Sequence, residues 1–171
     1  IVFGSNGFIG KSIVKRLTKT RHKIICFDLS KKSIYDKKIE YHQCNLSNIK
    51  KFKKKISKAD IFLNLVGFLG VQETQNNPYQ VLDINLITQI NFLNEIKNWK
   101  LKKLVFTSSS EVFGDVTSSG VNEESPKNPK SDYAVSKLAV EHLIRAFGKK
   151  YKFNYNIIRY FNVYGPQQRD V

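Results

Sequence analysis

Gly4-Ser-Asn-Gly7-Phe-Ile-Gly10 follows the apolar run Ile1-Val-Phe3 and leads into a helical pattern from Phe8 to Lys19, with Ile9, Ile13, Val14 and Leu17 on one side. Strand, glycine turn and helix in that order aim backbone N–H groups and the positive end of a helix at one point, an arrangement suited to a pyrophosphate. Gly4, Gly7 and Gly10, with Phe8 and Ile9 in the first helical turn, are the candidate phosphate-facing positions. Glycine turns between strand and helix also occur for structural reasons alone, so the rest of the chain has to decide.

Outward from that turn, apolar runs alternate with helical patterns to the end of the chain. Strands are expected at Ile24–Phe27 ending at Asp28, Ile39–Cys44, Asp60–Val66, Leu104–Thr107 and Tyr155–Arg159. Helices are expected at Ile49–Ile56 (short and basic), Pro78–Trp99 (opened by a proline) and Tyr133–Lys149. Strands alternating with helices, and little polar alternation within strands, predict an α/β fold: a Rossmann-like, doubly wound parallel sheet covered on both faces. The helix from Tyr133 is apolar nearly all round, which predicts a second burial, against a partner subunit or against further residues of a longer chain.

The 171 residues suit one domain, and a hydrophobic fraction of 41% with 12% aromatics is that of a globular chain. The absence of Met, the opening in mid-strand and the stop at Gln167-Gln-Arg-Asp-Val171 lead us to read residues 1–171 as a fragment. A net charge of +15 and the run Lys50-Lys51-Phe52-Lys53-Lys54-Lys55 raise the question of nucleic acid. Lysine in place of arginine forks, without a stacking platform, argues against it and for a solvated basic face. Cys26 and Cys44 fall in expected strands as small apolar residues, no stretch is apolar enough to span a bilayer, and no metal-ligand cluster stands out, so a cytoplasmic, metal-free protein without a membrane partner is expected.

Two features give the glycine turn its meaning. Asp28 ends the second strand 18 residues after Gly10, where a carboxylate binds the adenosine ribose hydroxyls and repels a 2′-phosphate. That favours NAD over NADP. Tyr133 and Lys137 are four residues apart, on one face of a helix, so an ammonium can sit beside a phenol. A free phenol titrates near ~10 and is a poor base at neutral pH until a cation favours its ionised form.

With these residues quoted, the chain resembles the extended short-chain dehydrogenase/reductases, in the NAD-dependent epimerase/dehydratase family of the sugar-nucleotide branch, over essentially its whole length. Phe106-Thr-Ser-Ser-Ser-Glu-Val-Phe-Gly114 is similar to that family's serine signature, Asn76-Asn-Pro78 and Asn85 to its fourth helix, and Arg159-Tyr-Phe-Asn-Val-Tyr-Gly-Pro166 to its Arg-x-Phe-Asn-Val-Tyr-Gly-Pro segment. Asn64-Leu-Val-Gly67 departs from its usual His-Leu-Ala-Ala stretch, and Thr88 replaces a frequent glycine. The resemblance implies a smaller C-terminal substrate domain, largely absent from these residues. It also implies NAD contacts from Asn45 and Leu46, catalytic roles for Ser109, Tyr133 and Lys137, and substrate contacts from Ser109, Ser110 and Asn162. Tyr160, Phe161 and Val163 are read as packing.

The implied chemistry is oxidation of a nucleotide-sugar hydroxyl to a transient 4-keto sugar, with Tyr133 as base, Ser109 orienting the oxygen, and Lys137 holding the ribose and lowering the phenol's pKa. Glu111 stands where sugar-nucleotide dehydratases carry an acid/base glutamate; a loop-anchoring carboxylate is the alternative. Epimerase and 4,6-dehydratase are the leading activities. A decarboxylase resembling those of UDP-glucuronate, a reductase of a non-sugar hydroxyl compound, and a non-catalytic NAD-binding protein are the alternatives. A homodimer through the helices near 78–99 and 133–149 is expected.

Overall fold

A computed structural model describes residues 1–36, 39–99, 101–116, 120–166 and 168. Six strands form one parallel sheet: β1 Val2–Phe3, β2 Ile25–Asp28, β3 Glu40–Gln43, β4 Ile61–Asn64, β5 Lys103–Ser109 and β6 Asn154–Tyr160, in the order β3-β2-β1-β4-β5-β6. The order reverses between β1 and β4. At such a switch point the chain leaves neighbouring strands in opposite directions and opens a crevice at their carboxyl ends.

Helix α1 (Phe8–Leu17) follows β1, and a 3₁₀ turn, Leu46–Phe52, with the short α2 (Lys53–Ile56) follows β3. After β4 come α3 (Val71–Asn76), α4 (Pro78–Leu82), a π-helical turn at Asp83–Ile87 and α5 (Thr88–Ile96). Helix α6 (Asp132–Tyr151) precedes β6. Ser131 caps α6 by accepting from the Ala134 N–H at 3.1 Å, and Lys152 ends it in the left-handed conformation at φ 61°.

The main core lies where α5 and α6 cover the sheet. Phe3, Phe62 and Phe92 meet there ring against ring, Phe3 lying edge-on to both of its neighbours, and Ile96, Leu104, Phe106, Val140 and Ile144 pack around them. A smaller cluster of Val2, Val14 and Cys26 lies under α1. Cys26 and Cys44 are free and buried, and burial pushes the Cys26 thiol up to about 11, so it stays protonated as a packing group.

Three expectations are revised. The single helix expected over Pro78–Trp99 is interrupted by the π turn, which places Asn85 inward. Helix α3 has no counterpart in the sequence reading: it is one short segment without an apolar period. The sheet is not covered throughout, because β6 is an edge strand with Tyr155 and Ile158 exposed on it. The expected terminal stretch Gln167–Val171 lies, apart from Gln168, outside the described residues.

Candidate active site

The glycine turn has the geometry its spacing predicts. Gly4 takes φ +74°, a conformation that a side chain would strain, and hydrogen-bonds through its N–H to the Phe27 carbonyl at 2.9 Å. A Cβ on Gly10 would run into the carbonyl oxygens of Gly4 and Ser5, so only glycine lets the helix start this close to the strand. Gly7 caps α1 without a side-chain acceptor, which leaves the first-turn N–H groups to a ligand. The side chains of Phe8 and Ile9 turn elsewhere, into an apolar hollow of about 360 Å³ shared with Tyr160, Val163 and Tyr164.

Asp28, at the end of β2, lies beside the glycine turn. One carboxylate oxygen accepts from the Asn6 N–H at 2.8 Å and the other from the Ser30 N–H at 3.1 Å, so the carboxylate is fixed beside the turn. The Asn6 side chain donates to the Lys32 carbonyl at 2.9 Å and to Tyr41 Oη at 3.2 Å, and Tyr35 donates to the Ser5 carbonyl. Asn45 is exposed and caps the 3₁₀ turn through the Ser47 N–H at 2.9 Å, while the Leu46 side chain is buried in the main core. Leu46 therefore has little but its backbone to offer a ligand.

Past β4, the segment Leu65–Gly67 joins the glycine turn to the second half of the site. A Cβ built on Gly4 would lie 3.1 Å from the Leu65 backbone, and one on Gly67 would lie 3.1 Å from Lys137 Nζ. Asn85, buried on the π turn, holds this segment: it accepts from the Phe68 N–H and donates to the Phe68 carbonyl, both at 2.8 Å.

Strand β5 and helix α6 carry the candidate catalytic residues Ser109, Tyr133 and Lys137. Ser109 ends β5, accepts from the Glu111 N–H at 3.2 Å and lies close enough to the Tyr133 hydroxyl to act on its pKa. Lys137, 4% exposed, donates to the Thr107 carbonyl at 3.0 Å and lies 5.6 Å from the centre of the Tyr133 ring. Burial lowers its pKa to about 8. Tyr133 is pushed the other way: burial raises its pKa, the Glu111 carboxylate raises it further, and the neighbouring Ser109 hydroxyl opposes both. In the protein by itself the net shift of the phenol is therefore upward.

Glu111 is exposed and accepts a hydrogen bond from Ser131 Oγ at 3.2 Å, which ties it to the cap of α6. Ser110 is half-buried beside it, and Asn162 is exposed just beyond β6. Phe161 and Val163, read as packing residues, are exposed, as is Tyr164, because they follow the edge strand and no described element covers them.

A family model described as the NAD dependent epimerase/dehydratase family matches residues 1–171. The chain belongs to this family. It is 32% identical over 174 residues to a putative UDP-glucose 4-epimerase of Methanocaldococcus jannaschii, covering 98% of this chain and 57% of that protein. It is 30% identical over 195 residues to a dTDP-D-glucose 4,6-dehydratase of Dictyostelium discoideum, covering 98% of this chain and 44% of that protein. Its fold matches the crystal structure of a UDP-glucose 4-epimerase of Thermus thermophilus in complex with NAD with a TM-score of 0.90 at 27% identity, over 98% of this chain and 56% of that one. The chain thus spans about half the length of these relatives.

For an epimerase/dehydratase family member, the donor set fits a dinucleotide on its own chemistry: a glycine cradle that a Cβ would fill, a fixed carboxylate at the adenosine end, and a buried ammonium at the other. Among the described residues no group of acidic, His or Cys side chains could hold a metal ion, and no helix is long and apolar enough to cross a membrane. Sequence reading missed Thr107, whose carbonyl anchors Lys137, and the pairing of the buried Glu141 with Arg159. The i, i+4, i+8 spacing of Tyr133, Lys137 and Glu141 was the available signal for the acid.

Proposed function

We propose that the protein is an NAD-dependent sugar-nucleotide epimerase or dehydratase that works through a transient 4-keto sugar. The observation that carries this reading is the meeting of Ser109, Tyr133 and Lys137 at the end of β5, joined to the glycine turn through Leu65–Gly67. Bound NAD would supply the hydride acceptor and, when oxidised, a positive charge near the phenol. Gly4, Gly7, Gly10 and the first turn of α1 would hold its pyrophosphate, Asp28 its adenosine ribose, and Lys137 its other ribose.

The protein's own groups then have distinct tasks. Ser109 donates to or accepts from the sugar oxygen and keeps it within reach of Tyr133, which takes the hydroxyl proton as a phenolate. The raised phenol pKa of the protein alone makes Tyr133 a weak base until cationic charge arrives, so proton removal is coupled to cofactor occupancy. With the hydride held by the bound cofactor returned to the other face of the carbonyl carbon, Tyr133 would give its proton back to the carbonyl oxygen, which completes an epimerisation.

Glu111 provides the branch point. It is exposed at the same strand end, positioned by Ser131, and its charge reaches Tyr133. A carboxylate there is suited to removing a proton from the carbon next to a ketone, which is the added step of a dehydratase. Ser110 and Asn162 are assigned to substrate contact at the rim.

We assign a homodimer to the outward face of α4, the π turn and α6, where Tyr79, Leu82, Ile87 and Val135 are exposed apolar side chains. Two free, buried cysteines accord with a cytoplasmic setting.

The test is product analysis by NMR on the full-length protein given UDP-, dTDP- and GDP-sugars in deuterated water. A 4-epimer, or a 4-keto-6-deoxy sugar with deuterium at C5, supports the reading and selects the branch. Tight NAD binding without conversion of any of these sugars would overturn it.

A further inference from the structure

Glu141 lies on the face of α6 that carries Tyr133 and Lys137, one turn beyond the lysine, and its side chain is 0% exposed. Arg159, near the end of β6, grips both of its oxygens, Nε to Oε1 at 2.8 Å and an amino nitrogen to Oε2 at 2.7 Å. Arg145 adds a third contact at 3.3 Å. The Ser108 hydroxyl also stabilises the carboxylate, though without hydrogen-bond geometry. Burial by itself would raise the Glu141 pKa; Arg159, Ser108 and Arg145 overcome that and hold the carboxyl below its ordinary value.

The pair sits where three chain segments of the site converge. In the β5–β6 ladder Arg159 is paired with Ser108 and Tyr160 with Ser109. Two residues beyond Tyr160 is Asn162. The Arg159 guanidinium also stacks 5.0 Å from the centre of the Phe113 ring, on the 3₁₀ turn that carries Glu111. The carboxylates of Glu123 and Glu124, in the loop before α6, also act on it. A bidentate fork between a carboxylate and a guanidinium fixes distance and orientation together, unlike a point-charge contact.

We propose that Glu141 and Arg159 form a positioning pair that sets α6 against the ends of β5 and β6, and so sets Tyr133 against the strand end that carries Ser109. This rests on the proposed hydroxyl-oxidising reaction. Neither residue touches the reacting atoms; they act through Ser109, Tyr133 and Phe113. The stacked fork explains why a charged pair is kept in a place that apolar side chains could fill.

Three variants of the full-length protein test this: Glu141→Gln, Arg159→Lys and the double replacement Glu141→Met with Arg159→Met. The two single variants keep shape or charge but spoil the fork, and kcat is expected to fall by about tenfold or more with KM changed by less than about threefold. Apolar pairs often replace buried ion pairs without loss of stability. The double variant is therefore expected to melt near the wild type yet remain as slow as the single variants. Recovery of wild-type kcat along with wild-type melting would overturn the proposal, since a purely structural pair needs nothing more.

A second readout needs no substrate. The ring-carbon NMR signal of Tyr133, assigned by its loss in Tyr133→Phe, is followed with pH in the wild type and in Glu141→Gln. Moving Tyr133 away from Ser109, which lowers the phenol's pKa, should shift its titration up by about half a pH unit or more. An unmoved titration would overturn the positioning role. If the wild type converts no sugar nucleotide, the functional reading fails and this titration still decides the proposal.

Discussion

The Lys137 ammonium donates a 3.0 Å hydrogen bond to the Thr107 carbonyl, two residues before Ser109 on the same strand. One side chain thus ties the helix that carries Tyr133 to the strand that carries Ser109, inside the protein and without a carboxylate among the causes of its pKa shift. Such an ammonium is held at a cost in stability, which cofactor binding can offset.

That cost predicts a pH dependence. The folded pKa of Lys137, about 8, lies below its unfolded value of 10.5, so between those limits the unfolded chain binds more protons than the folded one. Stability from this group is therefore lowest below pH 8 and recovers as pH rises toward 10.5. Relative to Lys137→Met, the wild type should gain about 2–3 kcal/mol across that interval, measured by urea denaturation at fixed ionic strength. A difference that stays flat with pH would contradict the assignment.

Asp28 should govern cofactor choice. Its carboxylate is fixed beside the glycine turn by the Asn6 and Ser30 N–H groups, where we propose that it meets the adenosine ribose. Removing it in Asp28→Ala should weaken NAD by about tenfold or more and leave NADP nearly unaffected or tighter, since Lys31 and Lys32 follow closely. Titration of both cofactors against the two proteins reads this directly.

Asn85 should matter for the fold before it matters for chemistry. Its amide satisfies both backbone groups of Phe68 from a buried position on the π turn. Asn85→Ala leaves that donor and acceptor unpaired and is expected to cost about 2–3 kcal/mol, seen as a lower urea midpoint with an unchanged slope. Retained wild-type stability would mean that the Phe68 segment finds other partners.

Sequence reading reached the strand–turn–helix unit, the six strands and the positions of Asp28, Ser109, Tyr133 and Lys137, because each depends on local spacing or on a strand's end. Other features depend on contacts between segments far apart in the chain. The π turn that points Asn85 inward has no composition of its own. The Arg159–Glu141 fork becomes visible only when β6 lies beside β5 and under α6. The direction of the Tyr133 shift likewise follows from burial and from Glu111, neither of which the Tyr–Lys spacing contains. Leu46, read as a cofactor contact from the family resemblance, has a side chain buried in the core, so only its backbone is left for that role.

We propose Tyr133 as the base that removes the sugar hydroxyl proton. Comparing Tyr133→Phe with the wild-type full-length protein, on the sugar nucleotide that the wild type converts, tests it with the loss of one oxygen atom. We predict that turnover falls by at least about a hundredfold while NAD affinity stays within about threefold. Turnover within a few fold of wild type would contradict the account.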